Sequence, residues 1–113
     1  MFRAVVTFRA RIDMFTTANE AGIALAHGAA KRLDSVGVGN HTYLILRGPG
    51  RAEVVKYHHT ADYLDRPNPD YILVERGIEG GQHAFGEGDC IEFVWTESGI
   101  LELMAQQKPT EGV

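Results

Sequence analysis

The first strongly periodic segment is 2–12, where Phe2, Ala4, Val6, Phe8, Ala10 and Ile12 alternate with Arg3, Val5, Thr7, Arg9 and Arg11. A repeat of two sends the sets to opposite faces, so the segment predicts a long half-buried strand with three arginines on its outer face. Thr17-Ala18-Asn19-Glu20 then has the capping-box spacing, in which a hydroxyl and a carboxylate take up free backbone donors at a helix start. Ala21, Leu25, Ala29 and Leu33 follow at four-residue intervals, and the pattern predicts a helix over 18–33. Gly22 and Gly28 each cost such a helix about 1 kcal/mol relative to Ala, so packing rather than propensity would have to hold it.

Beyond a flexible connection at 34–40, two apolar stretches flank Gly48-Pro49-Gly50, which predicts a hairpin with strands 41–47 and 51–58. Pro67 and Pro69 break regular structure in the aperiodic segment 59–70. Long ordered loops of small domains often carry function, which makes this segment a place to look for a site. Segments 71–76, 82–85, 90–96 and 100–105 read as antiparallel strands, separated by turns at 77–81, 86–89 and 97–99. The sum is one α+β domain over 1–105. It has a single N-terminal-half helix on a curved, mainly antiparallel sheet of about six to seven strands, able to form a partial barrel. The polar segment 106–113 reads as a fraying tail.

Composition narrows the setting. A chain of 113 residues is one domain's length, and 44% hydrophobic with 23% charged residues is ordinary globular usage, which excludes wholesale disorder. The single Cys90 can form no internal disulfide. No apolar run is long enough to span a bilayer, and the first residues lack the pattern of a signal peptide, so the expected location is cytoplasmic. Charge is uneven: residues 1–60 carry eight basic against four acidic side chains, whereas residues 61–113 carry three against eleven. Kept apart in the fold, these sets would steer a charged partner or a second copy of the chain.

Candidate chemistry is sparse. There is no CxxC pair, HExxH helix, GxSxG elbow or dinucleotide fingerprint, and no cofactor is implied. The strand and turn around His83, Gly86, Gly88 and Asp89 are similar to those of cupin barrels. The adjacent His58 and His59 depart from the spaced histidine pair of the cupin metal motif, so the family is not assigned. Metal-ligand candidates are His59, His83 and Asp62, with His59 required to lie in the loop because neighbours on a strand face opposite ways. Catalytic candidates are His83 and Cys90 as an imidazole and thiolate pair, with Glu75 or Glu92 as orienting group. Arg3, Arg9 and Arg11, with Arg47 and Lys56, could track phosphates beside Tyr43, Tyr57 or Tyr63, but a pI near 5.7 argues against nucleic acid.

The leading expectation is therefore a small cytoplasmic binding protein without catalytic activity. It would act through the face of Arg3, Arg9 and Arg11 on a protein partner, or by self-association as a homo-dimer. The alternative is a small enzyme or ligand-binding barrel whose pocket is built from histidine, cysteine and carboxylates and could hold a metal.

Overall fold

A computed structural model describes residues 1–107 of the chain. Its centre is the expected hairpin, β3 (His41–Gly48) and β4 (Arg51–His58), paired without interruption from His41–His58 to Gly48–Arg51. Around it lie β1 (Arg9–Arg11), β2 (Gly22–Ala24), β5 (Tyr71–Glu79) and β6 (Cys90–Phe93). The six strands form one antiparallel sheet in the order β1-β6-β3-β4-β5-β2. The sheet curls until its edges meet at the Ile12–Leu25 bridge, where Asp13 N–H donates to the Ala24 carbonyl and Ala26 N–H to that of Arg11. Curling encloses the inward row of each strand, and Ile12, Ile23, Leu25, Leu44, Leu46, Val55, Ile72 and Ile91 form one dry core. A smaller core lies on the outer face, where Phe2, Tyr43, Ile45 and Val54 pack with Phe93 and Leu103.

The α+β class and the curled sheet stand, but the helix is elsewhere. Segment 18–33 forms no α-helix: it contains β2 and enters a 3-10 helix, Ala29–Val36. Two glycines explain the change. Gly28 has φ 80°, a left-handed conformation that ends any helix running through it. Gly22 lies so close under Tyr71 that a Cβ there would sit 1.8 Å from the phenol oxygen, so any side chain would have to displace that ring. The capping-box contact does form, Thr17 N–H donating to Glu20 Oε1 at 2.9 Å, but it closes a turn.

The α-helix is α1, Glu97–Gln106, where a turn and a strand were expected. Thr96 caps it, its hydroxyl accepting from Gly99 N–H at 2.9 Å. Helical spacing brings Gly99, Glu102, Leu103 and Gln106 onto the sheet side, and Gln106 bonds both the N–H and the carbonyl of Phe2. The tail expected to fray thus begins with an anchored residue, and 108–113 lie outside the described residues.

The first segment is also shorter as a strand than its alternation suggests. A turn at Val6–Thr7, closed by Phe8 N–H on the Val5 carbonyl, reverses the phase, so Val5 is buried and Ala4 and Val6 are exposed. Segment 82–85 contributes only a bridge, Phe85 to Thr16.

Candidate functional site

Two arginines on neighbouring stretches of chain define the polar interior. Arg76 and Glu53 both sit in phase with inward apolar residues, Arg76 with Ile72 and Val74 and Glu53 with Val55 and Tyr57. Glu53 is fully buried, and the Arg76 guanidinium meets it with two bonds, Nε to Oε2 at 2.8 Å and Nη2 to Oε1 at 2.9 Å. Gly77 N–H and His83 N–H donate to the same carboxylate. The other guanidinium protons go to the carbonyls of Thr17, Glu20 and His83. Burial alone would raise the Glu53 pKa, but the Arg76 bonds, the two N–H donors and the Arg76 charge outweigh it and hold the carboxyl below its usual range. Every polar group here is satisfied, and the pair pins the 17–20 and 77–83 loops to the sheet.

Arg66 is the contrasting case. Its Nε and Nη2 are shielded from solvent and have no hydrogen-bond partner among the described residues. It projects from the loop that follows β4, beside the end of the β4–β5 ladder. Tyr57 pairs with Val74, but the next residues of β5, Leu73, Ile72 and Tyr71, pair only with β2. The resulting gap is a cleft of about 420 Å³, lined chiefly by Tyr57, Arg66, Pro67, Tyr71, Leu73 and Val74, with His58 and Glu75 also on its wall. His58 and Glu75 satisfy each other at 2.7 Å. That leaves Arg66, whose charge lies beside the Tyr57 hydroxyl and whose Nε and Nη2 have no acceptor, facing a largely apolar lining in which Thr60 and Asn68 are the remaining polar side chains.

Behind the cleft stands a polar chain. The Tyr57 hydroxyl lies 2.8 Å from Nδ1 of His59, whose Nε2 is 2.7 Å from Asp62 Oδ1 and 3.6 Å from Asp34 Oδ1. Burial pushes the Tyr57 phenol up to about 12, against the opposing pull of the Arg66 charge, so it remains a hydrogen-bond donor at neutral pH. The backbone on either side of His59 is tied down, His59 N–H donating to the Asn40 carbonyl and Gly39 N–H to that of His59.

The sequence candidates separate into groups. His59 and Asp62 come together as their spacing in the loop requires, with Asp34 as the third member. His83 instead bonds the Gly80 carbonyl through Nε2. Cys90 opens β6 between Arg11 and Arg47 on the adjoining strands, and Glu75 is held by His58. No hydrogen bond joins any two of His83, Cys90 and Glu75 among the described residues. Arg3, Arg9 and Arg11 are exposed, but Glu92 lies 3.7 Å from Arg9 and bonds Arg47 at 3.0 Å, which partly neutralises that face. Sequence reasoning passed over Asp34 and Arg66 as site residues, and named Tyr57 only as a side chain able to stack on a base. A usable signal was that Arg66 immediately precedes Pro67 in the one loop with no periodicity.

No protein-family model matches the chain, and no curated protein matches it in sequence. Among the described residues no helix is long and apolar enough to cross a membrane.

Proposed function

We propose that this protein is a small-molecule binding barrel whose cleft between β4, β5 and the 59–70 loop takes a carboxylate with an apolar body. The observation that carries the reading is Arg66, whose Nε and Nη2 are shielded and without an acceptor at the wall of a largely apolar cleft. A buried donor left unmade costs about 1–3 kcal/mol, and more when charged, so a native fold that keeps one has a use for it. The cleft volume of about 420 Å³ is that of a small-ligand site. A guanidinium matches a carboxylate in charge and geometry. Pro67, Leu73, Val74 and the Tyr71 ring suit an aliphatic or aromatic remainder. Glu75 on the wall favours a monoanion over a phosphate dianion.

The test is calorimetric titration with decanoate and with decanol, in the presence of a chelator. Decanoate binds one per chain, while decanol and the Arg66→Met variant each lose at least about tenfold, as a charged hydrogen bond worth about 1.5–3 kcal/mol requires. Equal affinity for acid and alcohol, or none for either, overturns the reading.

Self-association is a second reading, favoured by outward Ile100, Leu101 and Met104 on α1. A self-complementary apolar stripe is covered by the same stripe of a second copy. Native mass spectrometry then finds a dimer that Leu101→Asp dissociates. Replacing Arg3, Arg9 and Arg11 by Ser tests the charged-face version, and a monomer at every concentration removes both.

A further inference from the structure

Four of the five histidines meet a carboxylate, and one of these pairs differs in kind. His27, His41 and His58 each bond a single acid, Asp70, Glu102 and Glu75 respectively. His59 is fully buried and turns the same ring nitrogen toward two, Asp62 at 2.7 Å and Asp34 at 3.6 Å. The three donor atoms lie within 4.8 Å of one another. They come from three elements: Asp34 from the 3-10 helix Ala29–Val36, His59 from the residue after β4, and Asp62 from the cap of the short helix Tyr63–Asp65.

We infer that Asp34, His59 and Asp62 form a binding site for a borderline divalent metal ion, of which Zn²⁺ is the probe of choice. One imidazole nitrogen and two carboxylate oxygens are a donor set that zinc accepts at about 2.0–2.2 Å, whereas Mg²⁺ and Ca²⁺ prefer oxygen alone. Two carboxylates beside one imidazole give the position net negative charge. The ring is inaccessible, but the Asp34 and Asp62 side chains are 32% and 50% exposed, which leaves a path for the ion and room for water as further ligands.

The remaining contacts are those of a ligand set held from behind. Tyr57 occupies Nδ1 of His59, so Nε2 is the nitrogen turned to the acids. Asp34 Oδ1 accepts from Tyr63 N–H at 2.9 Å, which fixes its orientation and joins the two 3-10 helices. Without metal, the ring proton on Nε2 donates to Asp62. The ion takes the place of that proton, which moves to Nδ1 and donates to the Tyr57 oxygen, so the ring stays neutral and no other group need change charge. The separation of 2.7 Å is a hydrogen-bond length, and ligation widens it by about half an ångström, a shift the half-exposed Asp62 can make.

The experiment is a Zn²⁺ titration of chelator-stripped full-length protein, followed by calorimetry and by ¹⁵N NMR of the histidine rings. One ion binds per chain, the His59 Nε2 resonance moves, and Nδ1 takes the proton. Asp34→Asn and Asp62→Asn keep an acceptor for Tyr63 N–H and the His59 ring Nε2–H, so the fold survives, and each lowers affinity at least about tenfold. His27→Gln, which removes the exposed pair with Asp70, changes nothing. Binding below one ion per chain, a His59 resonance that does not move, or affinity lost in His27→Gln but kept in both Asn variants overturns the site. The NMR reading uses the unaltered chain, so it decides the matter even if a variant misfolds. The decanoate titration is run in chelator, so either proposal can fail alone.

Discussion

Arg76 and Arg66 are a natural experiment in what a buried guanidinium is for. Arg76 donates to Glu53 twice and to three backbone carbonyls, and nothing in its surroundings is left to bind. Arg66 keeps two shielded nitrogens with no acceptor, at the wall of a cleft. The Arg76 side chain is buried and Arg66 is half-buried, but one closes a network within the fold while two shielded nitrogens of the other face a cleft. The difference teaches that burial alone marks neither stability nor function, and that satisfaction separates them.

Breaking the closed network has the largest expected effect. Glu53→Gln leaves the Arg76 charge buried and uncompensated and lowers unfolding free energy by about 3–5 kcal/mol, measured by urea denaturation. Replacing the pair together, Glu53→Leu with Arg76→Met, costs less than that single change, because no lone charge remains. The same pair shapes the acid response. The folded Glu53 carboxyl titrates below its unfolded value, so its stabilisation is complete above the unfolded pKa and is lost as pH falls through the folded one. Asp70, held at about 2 by the Tyr63 hydroxyl, Gly28 N–H and His27, acts in the same sense. Urea midpoints therefore rise between about pH 2 and pH 5, and the slope flattens in Glu53→Gln.

Much of the framework behind this contrast was legible in the sequence. The β3–β4 hairpin followed from Gly48-Pro49-Gly50 between apolar runs, and the register left no alternative once Leu44, Leu46 and Val55 had to share a face. The 59–70 loop followed from Pro67 and Pro69, and with it the meeting of His59 and Asp62, which are close in the chain. Asp34 was not legible, because its approach depends on a 3-10 helix where four-residue spacing suggested an α-helix ending at Leu33. The helix was misplaced for a related reason: a capping box and small residues describe local preference, while Gly22 under Tyr71 and Gly28 with its left-handed backbone are set by tertiary packing. At the other end, Ser98 and Gly99 read as a turn, although Thr96 was available as a cap. Glu53 and Arg76 could have been paired from sequence, since both fall in the inward phase of their strands.

Smaller effects sharpen the comparison from the open side. Tyr57→Phe removes the hydroxyl from His59 Nδ1 and costs about 1–3 kcal/mol in the same denaturation assay, the penalty of a buried acceptor left without its donor. Arg66→Met stabilises the unliganded protein by about 1–3 kcal/mol, because it removes shielded donors that have no acceptor. It nevertheless abolishes the preference for decanoate over decanol.

The most direct test observes both arginines in one sample. In ¹⁵N-resolved spectra of the guanidinium Nε–H groups, decanoate added in chelator moves the Arg66 resonance in proportion to occupancy and leaves Arg76 where it was. A spectrum in which Arg66 does not respond, or in which both arginines shift together, contradicts the assignment of the open guanidinium to ligand binding.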